Sequence, residues 1–241
     1  MNCHVCDELY NEKKEYETEW RKLYFCDACD HMYIDFLGDE IEYHSREYRR
    51  EGGQAYRKEI HSERLINICK KRCDYVKNYP ISNIGKKQYS CYEVGSGGGT
   101  FARAIDEYMS GEYVCNEVAP VLIEECERLG FKTDQVDIND IQFDKQYDFI
   151  FAWHVLEHIK NFEPLAEKIR DAVKSYFIIE VPTNNLRKVG GKTSWDGHSH
   201  YFSHKSFRLF FEKIGFDILD MREGIQTKPD RPSILSTMRK K

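Results

Sequence analysis

The stretch "CYEVGSGGGTFARAI", residues 91–105, constrains this chain more than any other. Four of the five residues from 95 to 99 are glycine, set between a short apolar run and a segment with helical spacing. Glycine reaches positive φ at no steric cost and lets a ligand approach the backbone, so strand, bare turn and helix start describe a binding loop. Two common ligands fail on the residues. A dinucleotide fingerprint opening at Gly95 needs glycine at position 100, which is Thr100. A phosphate loop needs GxxxxGK followed by Ser or Thr; the near match "GGKT" at 190–193 would require its first glycine where Leu186 stands.

The chain around this loop alternates strand and helix. "SCYEV" is read as the first strand and Thr100 to Met109 as a helix with Phe101, Ala104, Ile105 and Tyr108 inward. "YVCNEV" is the second strand, followed by a helix from Pro120 to Leu129 closed by Gly130. "DQVDI", "YDFIFAW" and "YFIIEV" read as further strands, with a helix from Pro164 to Lys174 before the last. Ser203 to Ile214 is a helix ended by Gly215, and "FDILDM" with "SILSTM" reads as a terminal antiparallel pair. Such alternation predicts an α/β fold, a mostly parallel sheet covered on both faces with ligands at the carboxyl ends of its strands.

The glycines have acidic companions. Glu93, Gly95, Gly97 and Gly99 form acidic-x-Gly-x-Gly-x-Gly, Glu117 ends the second strand, and Asp137 with Ile138 follows the third. "YDFIFAWHVLEHI" follows, and then "HSHYFSHKSFRLFFEKIGF" at 198–216. In this order these segments resemble the class I S-adenosylmethionine-dependent methyltransferases of small-molecule type. The resemblance covers roughly residues 88–223 and implies a Rossmann-like fold with a seven-stranded sheet and S-adenosylmethionine as cofactor. It implies that Glu117 takes the ribose hydroxyls, Asp137 the adenine amine and Ile138 the ring. A cofactor without phosphate also explains a glycine loop that carries no lysine. The turn "AWHV" lacks the Asn/Asp-Pro-Pro-aromatic clamp and the Pro-Cys of base and glutamine methylases, which disfavours those two classes, while the segment at 198–216 resembles that of methyltransferases of the sugar and natural-product type and so implies a small polar acceptor such as a sugar or sugar nucleotide.

Ahead of the main domain, Cys3, Cys6, Cys26 and Cys29 spell C-x2-C-x19-C-x2-C. Two such knuckles joined by a hairpin fit a four-thiolate structural zinc ribbon, and a segment this poor in core residues needs a staple. Nine cysteines and no secretory signal argue for thiols and metal ligands rather than disulfides, and for a cytoplasmic protein. Residues 1–40 carry 4 Lys/Arg against 11 Asp/Glu, so this ribbon is ill suited to nucleic acid, which needs cationic clusters. Residues 41–88 carry 12 Lys/Arg against 6 Asp/Glu; there a solvated helix face is the plain reading and an anionic acceptor the functional one. No apolar run approaches the ~20 residues of a membrane span.

Three units follow: 1–37 as the ribbon, 38–87 as a helical connector and 88–241 as the Rossmann-like domain. In the connector Leu65, Cys69, Cys73 and Val76 share one helical face, Gly52-Gly53 interrupts an earlier helix, and 80–87 is a linker. An acceptor hydroxyl must lose a proton as it is methylated, and histidine is the side chain suited to take one near neutral pH. His198 and His200, after a loop spanning 183–197, are the first candidates and His154 the third; His158 reads as structural and Trp153 as core or pocket wall. The rival readings are an RNA or protein methyltransferase and a non-catalytic, cofactor-binding zinc scaffold.

Overall fold

The computed structural model describes residues 1–13, 21–36, 60–85, 88–183, 198–225 and 232–241. In chain order its strands are β1 (Asn11–Glu12), β2 (Arg21–Cys26), β3 (His31–Phe36), β4 (Tyr89–Val94), β5 (Gly111–Asn116), β6 (Lys132–Asp134), β7 (Tyr147–Trp153), β8 (Val173–Pro182), β9 (His200–Tyr201), β10 (Phe216–Glu223) and β11 (Ser233–Lys240). The longer helices are α1 (Glu63–Val76), α2 (Thr100–Asp106), α3 (Pro120–Arg128), α4 (Glu163–Ala172) and α5 (His204–Lys213).

Seven strands form the main sheet in the order β10-β11-β8-β7-β4-β5-β6. The pairs among β8, β7, β4, β5 and β6 are parallel, and β11 is antiparallel to both β8 and β10. This is the expected mostly parallel α/β architecture, terminal pair included. All seven residues of β7 are buried, as its unbroken apolar run requires in a sheet covered on both faces. Strand order reverses at β4, whose neighbours are β5 and β7, so the glycine loop after β4 stands where open α/β sheets bind ligands.

Helix α1 starts on Ser62, whose hydroxyl accepts from the Leu65 amide, and buries Cys69, Arg72, Cys73 and Val76. The expected linker after it is wound instead, as a π-turn over Lys77–Ile81 and a helical turn Ser82–Ile84 closed by Gly85 at φ 66°. The expected break at Gly52-Gly53 lies outside the described residues. Helix α2 ends at Asp106, three residues early, and Tyr108 is exposed rather than inward, with the Lys77 ammonium 4.4 Å from its ring centre. Strand β6 lies before the expected position: Asp137 accepts from the Asn139 amide and caps a 3-10 turn, and a side chain so engaged competes with strand pairing.

The cysteine ribbon has its own sheet, β1-β2-β3-β9, and the fourth strand comes from far along the chain. Met32 pairs with Tyr201 and Tyr33 with His200. Ile34 N–H donates to the Ser199 carbonyl and Ser203 Oγ to the Cys29 carbonyl, so the ribbon is stitched to the start of α5. Cys3, Val5, Tyr10, Cys26, Cys29 and Tyr33 lie in one apolar cluster with Phe162, Phe202 and Phe210 of the main domain. The expected unit boundaries at 37/38 and 87/88 touch residues outside the described set. Among the described residues, no helix is long and apolar enough to cross a membrane.

Candidate active site

Gly95, Gly97 and Gly99 all take positive φ, 63°, 57° and 70°. This left-handed conformation strains a side chain at each position. A Cβ at Gly97 would meet nothing within 4 Å, so the loop presents bare backbone to open space. A Cβ at Gly95 would lie 2.8 Å from Val155 Cγ2, so the loop touches the turn that follows β7.

Glu93 supports the loop from inside the sheet. It is buried and accepts from Tyr113 Oη at 2.9 Å; burial pushes its carboxyl up to about 8, against the opposing effects of Tyr113 and Arg72. Glu117 is also buried at the end of β5, and its Oε1 accepts from the amides of Val118 and Ala119 at the start of α3. Burial raises its carboxyl, while those amides and that of Gly97 pull the other way. Asp137 and Ile138 are half-buried beyond β6. Asn116, which sequence reasoning passed over, ties the three strand ends together: its Oδ1 accepts from Gly95 N–H and its Nδ2 donates to the carbonyls of Asp134 and Val136. The open cradle, the left-handed glycines and the carboxylates at successive strand ends fit an S-adenosyl group with its carboxylate, ribose and adenine.

The second half of the site follows β7. His154 adopts φ 57°, an uncommon value for a residue with a side chain, and its amide bonds to the Glu180 carbonyl at 2.8 Å. Its Nδ1 is 3.1 Å from Glu157 Oε1 and its Nε2 is 3.7 Å from Glu180 Oε1. Burial disfavours a charged ring here, but the two carboxylates outweigh it and push His154 up to about 9. Glu157 has no exposed surface; burial opposes its charge, yet His154, His158 and His198 bring its carboxyl below the ordinary range. His198 Nε2 is 4.0 Å from Glu157 Oε1, and the His198 ring packs edge-on against His158 with centroids 4.5 Å apart. Ser199 N–H donates to the Glu157 carbonyl at 2.7 Å and clasps the two segments together. Among the described residues Trp153 Nε1, His154 Nε2 and Glu157 Oε2 are buried without a hydrogen-bond partner. Buried polar atoms left so are uncommon and suit a place where a ligand binds.

Sequence reasoning also missed Glu180 and its clamp. From β8 it receives Arg72 Nε at 3.0 Å and Nη2 at 2.8 Å, together with Ser233 Oγ at 2.7 Å, while the Arg72 guanidinium lies 4.6 Å from the Trp153 ring centre. The signal was present: a glutamate inside the apolar strand "FIIEVP", and an arginine on the buried face of α1, each call for a partner.

His200 does not join this corner, contrary to expectation. It is fully buried in the ribbon sheet; its Nε2 donates to the Lys160 carbonyl at 3.1 Å and its Nδ1 is 3.4 Å from His31 Nε2. Burial holds it well below the ordinary histidine value, and both nitrogens are engaged. The physical reason is sheet pairing: at His200 the chain joins β9 and pairs with Tyr33 of β3, which carries that ring into the ribbon, while His198 lies ahead of the pairing and beside Glu157.

Cys3, Cys6, Cys26 and Cys29 do converge. The Cys3 and Cys29 sulfurs are 3.6 Å apart, those of Cys6 and Cys26 3.5 Å, and all four lie within 4.8 Å of one another. Sulfurs bound tetrahedrally to zinc at about 2.3 Å stand about 3.8 Å apart, so the set fits that ion.

Fold and strand-end chemistry together define a Rossmann-like protein of the class I, S-adenosylmethionine-dependent type. The chain belongs to the family described as a methyltransferase domain, whose sequence model matches residues 58–221. No curated protein matches the sequence. Among solved structures it is similar to the magnesium protoporphyrin IX methyltransferase ChlM from Synechocystis PCC 6803 with bound SAH, at 14% identity and a TM-score of 0.64 over 82% of this chain and 99% of that one. The DhpI-SAM-HEP complex aligns at 18% identity and 0.59 over 84% and 99%. N-methyltransferase NodS from Bradyrhizobium japonicum WM9, in complex with S-adenosyl-L-homocysteine, aligns at 14% and 0.57 over 78% and 97%.

Proposed function

We propose that this chain transfers a methyl group from S-adenosylmethionine to an oxygen of a small polar metabolite, such as a sugar or sugar nucleotide, and that the acceptor loses its proton at the corner of His154, Glu157 and His198. The observation that carries the reading is the contact of Gly95 with Val155: the glycine loop abuts a turn beside which buried polar atoms lack hydrogen-bond partners. The bound cofactor supplies a methyl group already activated on a sulfonium. The protein's work is therefore positioning and proton removal. Gly95, Gly97 and Gly99 hold the cofactor by backbone, Glu117 takes the ribose hydroxyls, and Asp137 with Ile138 flanks the adenine. Glu93 acts through the loop it underlies. His154, held as a cation between two carboxylates, keeps Glu157 charged and is no base at neutral pH; His198, beside Glu157, receives the acceptor. Cys3, Cys6, Cys26 and Cys29 hold a structural zinc, which fixes β3 and through it β9 and His198.

Calorimetry with S-adenosylmethionine tests the cofactor half. A methylated product one methyl group heavier, found by mass spectrometry after incubation with sugar nucleotides, tests the acceptor half. Binding without turnover on any acceptor would leave only a cofactor-binding scaffold. Metal analysis should give one zinc per chain, lost in Cys26→Ser; an ordered ribbon free of metal overturns that assignment.

A further inference from the structure

Glu157, His158 and His198 offer one carboxylate oxygen and two imidazole nitrogens, all within 4.8 Å of one another. They come from two segments that the Ser199–Glu157 backbone hydrogen bond holds together. The three differ in exposure as ligands at an open site would. Glu157 is fully buried with Oε2 lacking a hydrogen-bond partner, His198 is partly covered and His158 is at the surface. A packing role explains none of this: a buried carboxylate aimed at two histidines, with one oxygen left over, is costly unless something cationic completes it. His154 on Oε1 satisfies only one side.

We infer that Glu157, His158 and His198 form a second metal site, distinct from the four cysteines, which takes a divalent first-row transition ion. Two imidazoles and a single carboxylate suit Mn²⁺, Fe²⁺ or Zn²⁺ rather than Mg²⁺ or Ca²⁺, which prefer oxygen ligands. Three protein ligands leave coordination positions for a substrate, as in catalytic rather than structural sites. This deepens the proposed function and rests on it for the substrate class: the acceptor is an oxygen compound that can chelate, a hydroxyl with a second oxygen on the neighbouring carbon. The ion lowers the pKa of the hydroxyl it binds, as it does that of bound water, and the proton passes to solvent on the exposed His158 side. His198 then serves the acceptor as a metal ligand and not as a free imidazole.

Mn²⁺ is the probe, because four thiolates favour softer ions and leave it to this site. Titration of the full chain, with unbound Mn²⁺ followed by its electron paramagnetic resonance signal, should show one bound ion per chain. His158→Ala, at an exposed position that leaves the fold intact by circular dichroism, should weaken binding at least tenfold. His198→Ala should do the same. No bound Mn²⁺, or equal affinity in His158→Ala, overturns the site. Calorimetry with S-adenosylmethionine on the same samples separates the two readings: cofactor binding without Mn²⁺ binding defeats only this inference, and Mn²⁺ binding without cofactor binding defeats only the methyl-transfer reading.

Discussion

The two halves of the site lie side by side at the carboxyl ends of β4 and β7, yet they are built in opposite ways. The glycine half is made of backbone, and its buried polar groups are answered within the protein: Tyr113 on Glu93, amides on Glu117, three strand ends on Asn116. The histidine half is made of side chains, and Trp153, His154 and Glu157 each retain a buried polar atom without a hydrogen bond among the described residues. A half that is complete before its ligand arrives suits one constant cofactor. A half that is incomplete suits a substrate that supplies the missing contacts, so chemistry should respond to the second and affinity for the cofactor to the first.

The largest effect expected is on turnover. His198→Ala should lower kcat by about 10² to 10⁴, the range for losing a group that assists proton transfer, and leave cofactor affinity within twofold. Equal losses in both would erase the division between the halves. Next comes the clamp behind them: Arg72→Ala takes both guanidinium hydrogen bonds from buried Glu180, leaving it Ser233 and the more distant His154, and breaking a buried ion pair this way should lower unfolding free energy by about 3–5 kcal/mol, measured in urea. Gly97→Val, strained at φ 57° and filling the open cradle, should weaken S-adenosylmethionine binding about a hundredfold by calorimetry, with the Mn²⁺ titration unchanged.

The smallest effect is a pH dependence inside the cofactor half. Glu93 is pushed up to about 8 by burial, from 4.5 when unfolded, so between those values the native state keeps a proton that the unfolded chain has lost. Its contribution to stability is complete below pH 4.5 and is lost as pH rises through 8. Glu93→Gln, which can still accept from Tyr113, should flatten the decline of Tm across that window. An unchanged slope would place the titration elsewhere.

How legible the two halves were follows from how they are built. The glycine loop, the carboxylates at 93, 117 and 137 and the cysteine knuckles are written in runs of a few residues, where steric freedom, hydrophobic period and ligand spacing act between near neighbours. The sequence by itself determined the strand–loop–helix order, the glycine loop at the carboxyl end of a strand, and the four-cysteine set. Only the tertiary structure decided the rest. Which of His198 and His200 lies beside Glu157 depended on β9 pairing with β3, which also brings His200 to His31 across 169 residues. That pairing turns His200 into the ribbon and leaves His198 beside Glu157, to which Ser199 is hydrogen-bonded. Arg72 found Glu180 across 108 residues for the same reason. Such contacts are selected by which buried charges and sheet edges can be satisfied at once, a condition on the whole packed core that no local run of residues carries.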